Sequence, residues 1–146
     1  MFNGNNALQV DVPRPPAPHR ERELVRSREL SATTVLIAVS GNIDASTGPE
    51  VFESIETRLR GYRQLVLDLS QVEFFGTAGY SELHRVNSRC ARSAVDWVLV
   101  AGAEVQRLLR LCDPDGVFPI AANIVSAVAA LVRGPHRTPQ LGLTVR

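Results

Sequence analysis

Apolar side chains recur in two different periods along the middle of this chain. Between Thr34 and Ser40, β-branched apolar residues occupy every second position, which is typical of a β-strand. Between Gly48 and Gly61, apolar residues recur three and four positions apart, which is typical of an amphipathic helix. The positions concerned are Val35, Ile37 and Val39 in the first segment and Phe52, Ile55 and Leu59 in the second.

The same patterns predict five strands and four helices in the order ββαβαβαβα. The predicted strands are residues 22–28, 34–40, 65–69, 97–100 and 117–120, and the predicted helices are residues 48–60, 77–92, 104–112 and 123–132. Strands joined through helices favour a parallel sheet, while the short link Ser31–Thr33 predicts an antiparallel hairpin. The fold class is therefore α/β, with a mixed, mostly parallel sheet of four or five strands, and Pro119 predicts that the last strand lies at an edge.

Local signals indicate where the helices begin and which faces they bury. Thr47 and Glu50 have the spacing of a capping box, and the hydroxyl of Thr77 is predicted to cap the next helix. Gly61 is predicted to end the first helix. The expected inward positions are Gly79, Leu83, Val86 and Cys90 on the second helix, and Val105, Leu108, Leu109 and Cys112 on the third.

Composition divides the chain into one domain with a segment at each end. Residues 1–20 contain the proline-rich run Val12–Pro18, which favours an extended, flexible lead. Residues 134–146 open with a helix-stopping Gly-Pro pair and are interpreted as a tail. The domain is therefore expected to span residues 21–133.

Charge and hydropathy exclude several classes of partner. The formal net charge is +1, whereas nucleic-acid-binding domains usually carry a strong basic excess. The N-terminus lacks the basic and apolar regions of a secretory signal, and the apolar stretch Ile124–Val132 is too short to span a bilayer. The protein is therefore expected in the cytoplasm, without a nucleic-acid or membrane partner, and with Cys90 and Cys112 reduced.

The residue pattern gives little support to catalysis. His19, His84 and His136 are scattered, and no cluster has the ligand spacing of a metal site. There is no glycine-rich phosphate loop and no pair of carboxylates placed for acid–base chemistry. No enzymatic activity, metal or cofactor is expected, and His84 is interpreted as a solvated helix residue.

Two predicted loops follow the carboxyl ends of strands, where sheets of this kind usually carry their binding sites. They are Gly41–Thr47 and Phe75–Gly79, and each leads into a helix. Each loop should therefore present unpaired backbone N–H groups and the positive end of a helix dipole. This combination suits an anion, a phosphorylated side chain or an acidic group of a partner.

These loops lie within segments that resemble a known family. Residues 65–79 (LVLDLSQVEFFGTAG) resemble the signature segment of STAS domains, in particular those of anti-sigma factor antagonists. Gly41–Thr47 (GNIDAST) resembles the family's Gly-x-(Leu/Ile)-Asp-x-x-Thr loop, and Val105–Cys112 resembles its third helix. The resemblance covers about residues 20–133 and implies a STAS-like fold.

The resemblance also implies a binding protein rather than an enzyme. In the family, the unphosphorylated domain binds an anti-sigma factor of the serine-kinase type and so releases a sigma factor; phosphorylation of a loop serine then adds negative charge and ends the complex. The corresponding position here is Ala78, which has no hydroxyl, so we expect a permanently binding-competent domain. The implied partner-binding residues are Asp44, Ser46, Thr47, Gly76, Thr77, Ala78, Gly79 and Tyr80.

Several of these residues have two interpretations. Thr77 is either a helix cap or a substitute phosphate acceptor. Asp44 either contacts the partner or accepts hydrogen bonds from its own loop in an Asx-type turn. Tyr80 either anchors a partner or packs locally, while Asp68 is expected to be structural.

Other mechanisms remain open. Cys90 and Cys112 end two helices that each follow a strand, so both are expected at the same edge of the sheet, where a reversible disulfide could act as a switch; alternatively, both are small core residues. The domain could also be a STAS scaffold subunit of a lipid transporter or stress-sensing assembly. A third alternative is a sensor that binds a nucleotide or another anion, and monomer and dimer are not distinguished.

Overall fold

The computed structural model describes residues 24–134 and contains five strands and four helices. The strands are β1 (Val25–Glu29), β2 (Thr34–Ile43), β3 (Gln64–Phe75), β4 (Asp96–Ala101) and β5 (Ile120–Ala121). The helices are α1 (Gly48–Leu59), α2 (Thr77–Ser93), α3 (Ala103–Cys112) and α4 (Ile124–Val132). The predicted element order and α/β class are confirmed.

The strands form one sheet in the order β1-β2-β3-β4-β5. β1 and β2 pair antiparallel through the predicted hairpin, and the other three pairs are parallel. The parallel pairing follows from the helix that joins each strand to the next. As a result, β2, β3 and β4 all end at one edge of the sheet, and β1 begins there.

Helices cover the two faces of the sheet unequally. On one face, α1, α2 and α3 enclose the main core, which takes alternate residues of β2 and β3 such as Ile37 and Leu67. On the other face, α4 packs Ala127 and Leu131 against Val66, Val98 and Val100. The inward positions predicted for α2 are all buried, whereas on α3 only Val105 and Leu109 are buried, and Leu108 and Cys112 are partly exposed.

β2 and β3 continue past their predicted ends and past the end of β4. β4 pairs with β3 only as far as Leu69, whereas β2 pairs with it as far as Phe75. We call the segments Ser40–Ile43 and Ser70–Phe75 the projecting ribbon. Two register shifts interrupt the pairing of β2 with β3, and each places one extra residue on β3. One lies between Ala38 and Ser40, where the projecting ribbon starts, and the other lies between Gly41 and Asn42, within the ribbon. Such bulges increase local twist and redirect side chains.

The last strand begins later in the chain than predicted. The prediction of residues 117–120 is wrong at its start by three residues, since β5 contains only Ile120 and Ala121. Phe118 instead turns into the core beside the Trp97 ring, at a centroid distance of 6.1 Å. The carbonyl of Pro119 accepts a hydrogen bond from the Leu99 N–H (2.7 Å). The predicted edge position of β5 is confirmed.

The expected lead (1–20), most of the tail (134–146) and the start of the domain at residue 21 lie outside the described residues. Within residues 24–134, no helix has the length and apolar character needed to cross a membrane.

Candidate functional site

The first loop, between β2 and α1, is organised around the carboxylate of Asp44. Its Oδ1 accepts hydrogen bonds from the backbone N–H of Ser46 (2.9 Å) and Thr47 (3.1 Å). It also accepts one from the Ser46 hydroxyl (2.7 Å). The predicted Asx-type turn is therefore confirmed. The hydrogen bonds of the Ser46 hydroxyl and backbone, followed by that of the Thr47 backbone, lower the pKa of Asp44.

Thr47 supports this loop in a different way from the one predicted. Its hydroxyl accepts a hydrogen bond from the Asp44 N–H (3.0 Å) and donates one to the Asn42 carbonyl (2.8 Å). It makes no cap bond to α1, so the predicted capping box with Glu50 is wrong. The Thr47 hydroxyl bonds to the loop instead of capping the helix, because the turn at Asp44 places it within reach of the Asp44 N–H and the Asn42 carbonyl. Gly61 does follow the end of α1, with φ +88°.

The second loop, between β3 and α2, is a tight connection at Gly76. Gly76 is the residue that precedes α2 and has an extended backbone, and no side chain of the described residues caps the helix. The prediction that Thr77 is the cap is therefore wrong, because Thr77 is already the first residue of the helix. Its side chain is exposed, and Ala78 beside it is partly exposed.

The start of α2 packs its backbone directly on the end of β3. Gly79 is buried, and a β-carbon added there would lie 2.5 Å from Cε1 of Phe75. Phe75 is buried in the main core. The absence of a side chain at Gly79 therefore fixes how closely Thr77 and Ala78 approach the sheet.

The two loops form one continuous surface. The Gly76 N–H donates to the carbonyl of Ile43 (3.1 Å), which joins the end of β3 to the residue before Asp44. Gly48, at the start of α1, packs closely on the side chain of Glu82 from α2. We call this surface, formed by Asp44–Thr47 and Gly76–Tyr80, the loop surface. It brings together all eight residues implied by the sequence resemblance.

The sequence patterns did not identify Phe74 as part of this region. Its side chain is 47% exposed, whereas the adjacent Phe75 is 4% exposed. Val72 pairs with Gly41 and Phe74 pairs with Asn42, so Glu73 is the extra residue, and both Glu73 and Phe74 face outward. The ring of Phe74 lies against Gly76. Two adjacent phenylalanines in one strand were the available signal, because they cannot both face one side of a regular strand.

Tyr80 packs locally while keeping part of its side chain exposed. Its hydroxyl donates to the carbonyl of Cys112 (3.0 Å), and its ring makes edge contacts with His84 (4.7 Å) and Phe118 (6.0 Å). Burial, followed by the charges of Asp113 and Cys112, raises the pKa of Tyr80. His84, expected to be solvated, is exposed but also takes part in this aromatic cluster.

Asp68 has the structural environment that was expected. It is buried in β3, and its Oδ1 accepts a hydrogen bond from the backbone N–H of Ser70 (3.0 Å) at the base of the projecting ribbon. It therefore stabilises the point at which β3 leaves β4.

The two cysteines occupy different surroundings. Cys90 is 1% exposed, and burial raises the pKa of its thiol to about 12. Cys112 is partly exposed, and its carbonyl contacts Tyr80 in the first part of α2, whereas Cys90 lies near the other end of that helix. Cys90 fits the interpretation as a core residue, and the redox candidate gains no geometric support.

Among residues 24–134, no three histidine, cysteine or acidic side chains are grouped so that they could hold a metal ion. In the first loop, the Asp44 carboxylate occupies the N–H groups of Ser46 and Thr47. The first loop is thus held in one conformation around an acidic group.

Comparison with known proteins gives consistent matches. Osmosensory protein A of Mycobacterium tuberculosis is 32% identical over 112 residues, which are 74% of this chain and 71% of that protein. The anti-sigma-F factor antagonist RsfB of the same species is 29% identical over 100 residues, or 68% and 81% of the two chains. A solved anti-sigma factor antagonist from Mycobacterium paratuberculosis superposes with a TM-score of 0.67 at 28% identity, over 75% of this chain and 93% of that one.

The family model for the STAS domain matches residues 26–127, which include the loop surface, the first three helices and every strand apart from Val25, the first residue of β1. Together with the sheet order and the named relatives, this match identifies the family. The chain belongs to the STAS domain family, and its relatives include anti-sigma factor antagonists.

Proposed function

We propose that this protein is a non-catalytic, cytoplasmic regulator that binds an anti-sigma factor of the serine-kinase type and thereby releases a sigma factor. The observation that carries the proposal is the Gly76–Ile43 hydrogen bond, since it makes the two loops one surface. Membership of the STAS family and the relatives named as anti-sigma factor antagonists support the choice of partner.

In this proposal the loop surface binds the partner without a large rearrangement. The hydrogen bonds of Asp44 and Thr47 hold the first loop in one conformation, which lowers the entropy lost on association. Asp44 presents the charged group, and Ser46 and Thr47 shape the loop. Gly76 joins the two loops, and the buried Gly79 sets the height of Thr77 and Ala78 above Phe75. Ala78 and the exposed part of Tyr80 provide apolar contact.

Ala78 makes the protein constitutively competent to bind. A phosphate at this position would add almost two negative charges to a surface that already carries Asp44. An alanine cannot accept the phosphate, so the kinase has no means of ending the complex there.

Thr77 is the remaining hydroxyl at the helix start. Its hydroxyl makes no hydrogen bond to any of residues 24–134, and its side chain is exposed. It is therefore accessible as a substitute acceptor, and the test includes it.

The first loop is a poor binding site for an anion. An anion at the first loop would have to displace the Asp44 carboxylate from the N–H groups that it already occupies. The negative charge of Asp44 would also repel an anion that approached the same N–H groups.

The test is an affinity titration against the kinase-type anti-sigma factors of the source organism, with ATP present or absent. The variants are the wild type, Ala78→Ser, Ala78→Glu and Thr77→Val. We expect tight wild-type binding that ATP does not change, loss of binding in Ala78→Glu, and ATP-dependent release in Ala78→Ser only.

Two results would overturn parts of this proposal. ATP-dependent release of the wild type that Thr77→Val abolishes would make Thr77 the switch. If the wild type binds none of the anti-sigma factors, co-purification from cells would show whether transporter or stress-complex subunits are the partners instead.

A further inference from the structure

β5 is an edge strand, and among residues 24–134 no strand lies on its outer side. It pairs in parallel with β4 through Ile120 and Ala121. The Leu99 N–H donates to the carbonyl of Pro119, and in a parallel pair alternate residues of a strand bond to the same neighbour. The N–H and carbonyl of Ile120 therefore point away from β4, to the free edge of the sheet.

The two edges of the sheet differ in how they are protected. Exposed edge strands usually carry charged side chains, which discourage pairing with another chain. β1, at the other edge, exposes Arg26 and Arg28. Residues 120–122, in contrast, carry no charge, and Ile120 is 47% exposed. The β5 edge is therefore protected against pairing by its short length alone.

A groove lies beside the β5 edge on each face of the sheet. The α3 groove, between β5 and α3, has a volume of about 670 Å³, and Leu109 and Ile120 are part of its lining. The α4 groove, between β5 and α4, has a volume of about 330 Å³, and Ala121 and Ala130 are part of its lining. Successive side chains of a strand point to opposite faces of a sheet. A strand added to β5 would therefore place its side chains alternately in the two grooves.

The exposed charged residue in each groove is an arginine. Arg110 lines the α3 groove, and Arg133, which follows α4, lines the α4 groove. Both are exposed, and neither forms an ion pair within the described chain. Asp113 also lines the α3 groove, but it is buried, and both oxygens of its carboxylate accept from the Val117 N–H (3.0 and 2.9 Å). An occupant that fits both grooves therefore combines acidic with apolar side chains.

We propose that the β5 edge binds an extended acidic segment of a partner protein, which adds a strand to the sheet and fills the α3 and α4 grooves with alternate side chains. In this mode of recognition, main-chain hydrogen bonds give affinity and the pockets for alternate side chains give specificity. The inference does not rest on the proposed function, because the residues that line the two grooves are all outside the loop surface.

Charge disfavours two other occupants of this edge. A second copy paired through its own β5 would bring Arg110 and Arg133 of both copies together. The chain's own residues 135–146 contain Arg137 and Arg146 and no acidic residue. Like charges that meet across a contact oppose binding. An acidic segment of a partner instead neutralises both groove arginines.

The test is an NMR titration of the full, ¹⁵N-labelled chain with a hexapeptide made of two glutamates, two valines and two glutamates in that order, blocked at both ends. In an extended conformation this peptide offers each groove one valine and two glutamates. We expect amide shifts centred on Ile120 and Ala121. The hydrogen exchange of the Ile120 N–H should also slow at saturation, because the added strand accepts a hydrogen bond from it.

Paired charge reversals test the contribution of the arginines. Arg110→Glu with Arg133→Glu should weaken peptide binding at least about tenfold. The matched control, Arg26→Glu with Arg28→Glu, makes the same charge change at the opposite edge and should alter the affinity less than about twofold, since salt screens distant charges. A peptide with lysine in place of glutamate should bind the wild type at least about tenfold more weakly and regain affinity for the Arg110→Glu, Arg133→Glu variant.

Absence of binding up to about 1 mM peptide would overturn the proposal, and so would equal weakening by the two paired reversals. Shifts at the grooves without slower exchange of the Ile120 N–H would overturn strand addition, because the peptide would then bind through its side chains alone. Shifts at Ile120 that follow protein concentration without peptide would assign the edge to a second copy. No anti-sigma factor takes part in the titration, so its failure leaves the proposed function untouched.

Discussion

A β-carbon on Gly79 would lie 2.5 Å from Cε1 of Phe75, so the first turn of α2 rests on that ring with no side chain between them. Phe75 is the last residue of β3 and is buried in the main core. This contact determines the depth at which Thr77 and Ala78 sit above the sheet. The packing of the core and the shape of the loop surface are therefore linked through one glycine.

Gly79→Ala should destabilise the protein by about 1–3 kcal/mol, the usual cost of overpacking a filled site. The added methyl must displace either the Phe75 ring or the start of α2. Denaturant unfolding of the single variant gives the loss of free energy. In the Phe75→Leu background, where the ring is absent, the same substitution should cost clearly less. Equal costs in both backgrounds would show that the ring does not set this contact.

Asn87→Ala should destabilise the fold by about 1 kcal/mol, because it removes the acceptor of the Trp97 indole N–H (3.1 Å). Trp97 is the single tryptophan and is buried, so its fluorescence reports its own surroundings. We expect a shift of the native emission maximum together with a lower unfolding midpoint. Ser88→Ala, at the next and exposed position of α2, is the control and should change neither quantity.

The regular helices and strands of this fold follow directly from hydrophobic periodicity. The buried face of α2 contains the four residues that the spacing predicts, because a long amphipathic helix can bury only one stripe. The hairpin and the parallel pairs follow from connection lengths in the same way. All eight residues expected at the loop surface come together because the parallel strands end at the same edge of the sheet.

The irregular parts depend on contacts that hydrophobic periodicity does not predict. The bulge at Glu73 turns Phe74 outward, and it depends on the pairing of β3 with β2. The spacing of Thr47 and Glu50 also satisfies a capping box, but the hydroxyl of Thr47 bonds to Asp44 and Asn42 instead. In the first case a neighbouring strand decides the conformation, and in the second a competing local turn does.

Cys90 should resist thiol reagents in the folded protein at pH 8, while Cys112 reacts. Thiolate is the reactive form, and burial raises the pKa of Cys90 to about 12, compared with an ordinary value of 9.0. Titration with a chromogenic disulfide should give one fast equivalent, and a second only after unfolding. Rapid formation of an internal disulfide on mild oxidation would contradict this prediction and restore the redox switch.

The raised pKa of Cys90 also affects the stability of the protein at high pH. The unfolded thiol loses its proton near pH 9, whereas the folded one keeps it to about pH 12. The contribution of the protonated Cys90 thiol to the free energy of unfolding is therefore fully present below pH 9 and declines as the pH rises above 9. Cys90→Ala should lower stability at neutral pH through the cavity it leaves, and its stability should fall less steeply between pH 9 and 11.

Asp44→Ala should lower the thermal midpoint at pH 7, and Asp44→Asn should lower it less, since the amide oxygen can still accept the loop hydrogen bonds. Hydrogen bonds from Ser46 and Thr47 lower the pKa of Asp44 in the folded protein. Its stabilising effect is therefore present above the unfolded pKa and lost as the pH falls through the folded pKa. The difference in thermal midpoint between the wild type and Asp44→Ala should become smaller at acidic pH. A difference that does not change with pH would refute the electrostatic cause.

Phe74→Ala should weaken partner binding at least about tenfold, or 1.4 kcal/mol, without a matching loss of stability. Exposed aromatic side chains are frequent anchors of interfaces, and the Phe74 ring lies beside Gly76 at the margin of the loop surface. Because the side chain is 47% exposed, its removal should change the unfolding free energy much less than removal of the buried Phe75 ring. The measurement is a titration with an anti-sigma factor that the wild type binds.

Val132→Ala is the matched control for this experiment. Val132 is 78% exposed and ends α4, next to Leu131, whose carbonyl bonds Gln64 at the start of β3, the opposite end of that strand from Phe75. Its removal subtracts exposed apolar area without touching the loop surface, so the affinity should stay within about twofold of wild type, or 0.4 kcal/mol. If both variants bind as tightly as the wild type, Phe74 is outside the interface and the contact is confined to the loops. If both weaken binding equally, the interface extends to α4 on the other face of the sheet, and the loop surface alone does not account for recognition.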